Sequence, residues 1–227
     1  MLRVAMILGL LVQGCTQQRV YTSVDPQGAL HVSGPMEGVG PFKTADEAEE
    51  ALCPIIMKMP GAQDGERGIE YCGLVYHTPT GWHPTQLAFL PYQRPGGVRS
   101  CQLPVAIDDA QTPAALIVTI LDFHSHPWPN TRFTEAYTVQ GRLRGDLMPT
   151  PGHPLKLVVN GEVLDYRRVM FSTKCDHYRY YPARQEILKH DHHDQHWEKI
   201  ADVEVLVDEQ TGEILRSRVK MLPGKDW

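Results

Sequence analysis

Two histidines one residue apart, His124 and His126, follow an apolar, β-branched run over residues 115–121. Side chains two apart on a strand project from the same face. If the run is a strand, its end offers two imidazole nitrogens to one metal ion. Pro127 and Pro129 then stop the strand and open a loop over the pair. A second residue stands out upstream. Glu70 lies in the apolar stretch 69–77, where an unpaired buried carboxylate would be expensive.

The elements that must position these residues are partly legible. Thr44 is an N-cap with Glu47 three residues on, a capping box that opens a helix whose inward face is Ala45, Ala48, Ala51, Leu52, Ile55 and Ile56. Pro54 kinks or ends it. Residues 69–77 form a strand, turned at 78–81 into a second extended piece that reaches Leu90. Asp25-Pro26-Gln27-Gly28 joins two short alternating segments into a hairpin, with His31 an outward residue. The chain carries 22 basic and 27 acidic residues, a net charge of −5 and a pI near 6.1, with no block of Lys and Arg. A nucleic-acid partner is therefore not expected.

The N-terminus has a different character. Arg3 precedes an apolar stretch over residues 4–12, too short for a membrane span but suited to a signal peptide. Leu11-Val12-Gln13-Gly14-Cys15 resembles the lipobox of bacterial lipoproteins. That resemblance implies a signal peptide over 1–14, acylation of Cys15 and a membrane partner through the lipid anchor. Thr16, rather than Asp, follows the cysteine, which implies the outer membrane of the cell envelope. Export leaves Cys53, Cys72, Cys101 and Cys175 free to form one or two disulfides, in any of three pairings.

Glu70 in Ile-Glu-Tyr-Cys-Gly, His124-Ser125-His126-Pro127 and Phe133-Thr134 together resemble the JAMM motif of JAB/MPN-domain metalloproteases. The resemblance covers roughly residues 44–145. It implies an α/β (α+β) fold with a mixed sheet flanked by helices, and Zn²⁺-dependent hydrolysis of a peptide or isopeptide bond in a protein or peptide substrate. His124 and His126 would be metal ligands, and Glu70 the general base and then acid. Thr134 would donate a hydroxyl to the oxyanion and also cap a short helix.

The family's third ligand, an Asp, falls on Tyr137. A phenol loses its proton near pH 10, so it is a poor zinc ligand at neutral pH. Glu135 is the neighbouring carboxylate, while Asp146 and Asp122 reach in only with larger changes. The resemblance thus predicts an altered third ligand at Tyr137 or Glu135. The function it implies is either an impaired peptidase or a catalytically inactive binding module, with an envelope-displayed toxin-like effector as a further alternative.

The expected divisions are a signal peptide over 1–14, a lipidated tether and hairpin over 15–43, the JAB/MPN-like domain over 44–148 and a β-rich extension over 149–227. Asn160-Gly161 is a hairpin turn in the extension, and a second hairpin flanks residues 209–212. The extension either pairs with the main sheet or forms a small lobe. Between its hairpins lies a histidine-rich segment over 190–196. If helical, it sets His192 and His196 on one face for a metal; the plainer reading is a solvated polar segment.

Overall fold

The computed structural model describes residues 21–89, 101–139, 142–147, 155–191, 194, 196–210 and 214–227. Residues 1–14, where a signal peptide is expected, and Cys15 lie outside them. The architecture is α+β and mostly strand, with one α-helix among the described residues.

In chain order, β1 (Thr22–Val24) and β2 (Leu30–Gly34) form the expected hairpin, followed by helix α1 (Ala45–Ile56). Strands β3 (Cys72–Thr78) and β4 (Gly81–Pro84) pair through the turn between them, and β5 (Ala106–Asp109) adds to β2. Strand β6 (Val118–Ser125) leads into the histidine pair, and β7 (Tyr137–Val139) and β8 (Arg142–Arg144) follow. Strands β9 (Lys156–Val159) and β10 (Glu162–Asp165) are the Asn-Gly hairpin. The chain ends with β11 (Arg167–Phe171), β12 (His177–Tyr181), β13 (Glu186–Asp191), β14 (His196–Val207) and β15 (Ile214–Met221).

Ten strands join in one sheet, in the order β4-β3-β6-β11-β12-β13-β14-β15-β7-β8. Strands β9 and β10 pair as a two-stranded sheet of their own, while strands β11–β15 of the C-terminal part extend the main sheet. The contact that joins them is β11, which runs parallel to β6 with Arg168 opposite Asp122 and Met170 opposite His124.

Period-two alternation then sorts the side chains onto two faces. Leu121 and Phe123 of β6 and Val169 and Phe171 of β11 pack with Leu52 and Ile56 of α1. Met170 faces the other way, into a second core with Phe133, Leu147, Tyr178, Tyr180 and Ile200. Asp122 and His124 share that second face by alternation. Tyr178, Tyr180 and Tyr181 are buried strand residues, as hairpin packing requires.

The capping box at Thr44 and Glu47 forms, and α1 runs through Pro54 to end at Ile56. Near the helix end and the sheet edge, Cys53 is bonded to Cys175 and Cys72 to Cys101. Glu49 is fully buried on the helix's inner side, where Arg167 Nε donates to its Oε2 and Arg179 Nε to its Oε1, each at 2.9 Å. Arg179 also reaches Asp46, again at 2.9 Å.

One helix expectation is corrected. Thr134 caps no helix, because residues 137–139 pair as β7 with β15 and β8, and hydrogen bonding to neighbouring strands overrides the local pattern. Of the histidine-rich segment, His190 and His196 sit on the facing strands β13 and β14. His192 lies outside the described residues, so its i, i+4 pairing has no structural counterpart here.

Candidate metal centre

Strand β6 carries the chain into the site. Its last residue, Ser125, donates its N–H to Tyr71 O at 2.9 Å, and its Oγ accepts from Tyr71 N–H at 3.0 Å. These two bonds fix the residue next to Glu70 against the residue between the histidines. His126 N–H donates to Phe171 O at 2.9 Å, extending the ladder towards β11. One short stretch of β6 thereby sets the spacing of Glu70, His124 and His126. Glu70 itself lies just before β3, two residues ahead of the expected strand's pairing.

The third candidate ligand comes from elsewhere. His124, His126 and Asp146 each offer one ligand atom, all within 4.8 Å of one another. His124 Nε2 is 3.5 Å from Asp146 Oδ1, and His126 Nε2 is 3.6 Å from Asp146 Oδ2. Tetrahedral ligands about 2.1 Å from a common ion stand about 3.4 Å apart, so the three fit a zinc-sized cation. Glu70 Oε1 lies 4.0 Å from His126 Nε2, at the edge of the set.

Tyr137 and Glu135 do not join this group. Tyr137 is on β7 and 49% exposed, and Glu135 accepts the N–H of Val219 through Oε1 at 2.7 Å. Asp146, not either of these, is the carboxylate beside the histidines, because the segment after Phe133 is extended. A helix would have brought a residue three beyond Thr134 back to the histidines; a strand carries it away.

Thr134 enters the site through its backbone. Its N–H donates to Asp146 Oδ2 at 2.7 Å, and its carbonyl accepts from the N–H groups of Asp146 and Leu147 at 2.9 and 3.1 Å. Its residue is exposed. Gly145 makes the turn possible: its φ is +99°, and a Cβ there would meet Glu135 O at 2.3 Å. The hydroxyl nearest the ligands belongs to Thr131, which is hydrogen-bonded to His126 Nδ1 and leaves Nε2 for the centre.

His124 supplies the test of whether a cation fits. It is 5% exposed, neither ring nitrogen makes a hydrogen bond, and Nε2 has only the 3.5 Å approach of Asp146 Oδ1. A buried imidazole so poorly satisfied leaves a place for a cation.

The electrostatics differ between the two histidines: burial lowers His124, but Asp146 and Glu70 outweigh it and raise its pKa above the ordinary value, favouring its protonated form while no cation is bound. Burial pushes the Glu70 carboxyl up to about 7, with Asp146 adding to the rise and His124 opposing it. Burial and the neighbouring His124 push His126 down to about 4, which keeps its ring neutral and available as a ligand. Burial disfavours the Asp146 charge, but the two histidines and the Thr134 N–H hold it well below the usual carboxylate range. Glu70 Oε2 accepts the N–H of Cys101 at 3.1 Å, from the segment bonded to Cys72.

Asp191, Asp194 and His196 form a second group close enough for a cation, but all three are exposed. His31 bridges Asp25 and Asp108 and is no ligand. A cavity of about 620 Å³, bordered by Arg132, Phe133, Thr134, Tyr137, Met221 and Trp227, opens beside the Thr134 segment.

No family model matches the chain, and no curated protein and no solved structure matches it.

Proposed function

We propose that this chain is a JAB/MPN-like, zinc-dependent peptidase or isopeptidase, lipid-anchored at Cys15 in the outer membrane of a bacterial cell envelope. The observation that carries the catalytic part is the convergence of His124, His126 and Asp146 beside a buried Glu70. His124, His126 and Asp146 would hold the zinc ion, which would supply Lewis acidity to a carbonyl and to water, whose pKa such a metal lowers to about 7. Glu70 takes the proton from attacking water and returns it to the leaving nitrogen, a task suited to a carboxyl held near neutral pH. Thr131 and Thr134 keep His126 and Asp146 aimed inward. The neighbouring cavity offers room for a substrate side chain.

The reason to expect an inactive binding module was Tyr137, and Asp146 supplies a carboxylate in its stead. Two disulfides among the four remaining cysteines accord with an exported chain.

The test is zinc stoichiometry and peptidase activity of the full-length chain in detergent. One zinc per chain is expected, lost in His124→Ala, His126→Ala and Asp146→Ala. Zinc that persists in all three variants would sink the proposal and direct attention to Asp191, Asp194 and His196.

A further inference from the structure

The candidate third ligand, Asp146, sits on a turn well beyond β6 in sequence, and a buried side chain links that turn to β6. Arg168 of β11 lies opposite Asp122 in the parallel register, two residues before His124. Its Nε donates to Asp122 Oδ1 at 2.6 Å and its Nη2 to Asp122 Oδ2 at 2.8 Å, a bidentate pair inside the protein. Tyr166 donates its hydroxyl to the same Asp122 Oδ2 at 2.7 Å. The remaining arm of the fork, Nη1, donates to the backbone carbonyl of Asp146.

We propose that Arg168 is the positioning residue of the metal centre, transmitting the register of β6 to the Asp146 turn so that all three ligands are set by one strand. The proposal rests on the metal-site reading above. The planar fork explains the residue type. Lysine could neutralise Asp122 but could not make two parallel bonds to it and a third to a carbonyl beyond. Asp122 explains why a cation is tolerated so close to a cation site. A lone guanidinium would repel a metal ion, whereas the neutral Arg168–Asp122 pair retains the donor geometry and cancels most of that field. Strand alternation completes the arrangement: Asp122, His124 and Arg168 all project from the face opposite α1, while Arg167 faces the helix.

The experiment uses the full-length chain, stripped of metal, and titrates it with Zn²⁺ alone against a chromogenic chelator. Amide hydrogen exchange at Asp146 and Leu147 is followed in parallel. Arg168→Lys is expected to weaken zinc binding by about 10- to 100-fold, as loss of a ligand's support does. Exchange at residues 146–147 should accelerate while that of β3 holds. A purely structural role would lower the melting temperature and leave the zinc dissociation constant of the folded protein unchanged; that outcome overturns the proposal. Should the wild-type chain take up no zinc, the metal reading falls. Exchange then decides alone: acceleration at 146–147 upholds Arg168 as the holder of the turn, and no change overturns it. If Arg168→Lys does not fold, Tyr166→Phe removes only the hydroxyl from Asp122. It should weaken zinc binding in the same direction by a smaller factor, and an unchanged constant again overturns the proposal.

Discussion

Two clusters of buried charge sit back to back across the sheet, and adjacent residues of β11 serve them. Arg167 points to the helix side, where it and Arg179 meet Glu49 and Asp46. Arg168 points to the other side, towards Asp122 and the Asp146 turn. The helix-side cluster sets two guanidinium groups against two carboxylates and is neutral within itself. Burial alone would raise the Glu49 carboxyl, but Arg167 and Arg179 hold it below its ordinary range. On the other side, Glu70 and Asp146 face two imidazoles, and both nitrogens of His124 go without hydrogen-bond partners. The first cluster is finished by protein atoms. The second leaves a buried imidazole with ion-pair contacts but no hydrogen bond, and that difference separates a structural network from a candidate metal centre.

The contrast breaks most visibly at the two glutamates. Glu70→Gln should lower turnover by about 10²- to 10⁴-fold, the range of a lost general base, while zinc stoichiometry remains one. An activity assay beside metal analysis checks it, and unchanged turnover would remove Glu70 from the mechanism. Glu49→Gln should do the reverse. Leaving two buried guanidinium groups short of a partner should destabilise the fold by about 3–5 kcal/mol, with zinc affinity of the folded protein intact. The pH dependence has a definite sign. Glu49 has a lowered pKa when folded, so its contribution is present above the unfolded value of about 4.3 and is lost as pH falls through the folded value. The stability gap between wild type and Glu49→Gln, measured by denaturant unfolding, should therefore narrow below about pH 4. A gap that widens on acidification would contradict the assignment.

Each cluster was legible to a different degree. The histidine pair could be read because both residues lie on one strand end, where a period of two fixes their common direction. Glu70 could be read because a carboxylate in an apolar run needs a reason. The capping box and the Asn160-Gly161 turn are local chemistry and appear where the residues require them. Asp146 was not legible as the carboxylate beside the histidines. Its place depends on a turn at Gly145, on the backbone of Thr134 and on Arg168 reaching from a strand that follows it in sequence. The usable signal was slight: a glycine immediately before an acidic residue, with an apolar Leu147 after it to anchor the turn in the second core. Glu49 was equally hidden. It sits beside Ala48 and Leu52 on the inward arc of α1, but only the pairing of β6 with β11 brings arginines to it.

The disulfides sharpen the comparison at smaller scale, since each serves one side. Cys53–Cys175 ties α1 to the loop after β11, and Cys175 packs on the helix-side core. Removing it with Cys53→Ala/Cys175→Ala should cost about 2–5 kcal/mol of stability and spare turnover per folded molecule. Cys72–Cys101 holds the segment whose amide donates to Glu70. Cys72→Ala/Cys101→Ala should lose about one hydrogen bond to a carboxylate, about 1.5 kcal/mol, and so lower turnover about tenfold with zinc retained. Equal effects of the two double variants on turnover per folded molecule would mean that neither bridge belongs to one side.

The smallest expected effect is the most discriminating. If the resemblance to the JAMM motif holds, Tyr137 falls where that motif has its Asp, and a decayed site would gain zinc affinity on Tyr137→Asp. The geometry argues otherwise. Tyr137 is half exposed on β7, paired with Arg144 and Arg216, and the carboxylate position beside the two histidines is already filled by Asp146. An aspartate at 137 would face solvent and the cavity beside Thr134. The zinc dissociation constant should stay within about twofold, because an exposed charge is screened over about 10 Å at ordinary ionic strength. Any change should fall on KM, through the cavity that Tyr137 lines. Combined with Asp146→Ala, the substitution should still fail to restore zinc. Restoration would show that residue 137 can reach the histidines, and that the third ligand is chosen by motif spacing after all.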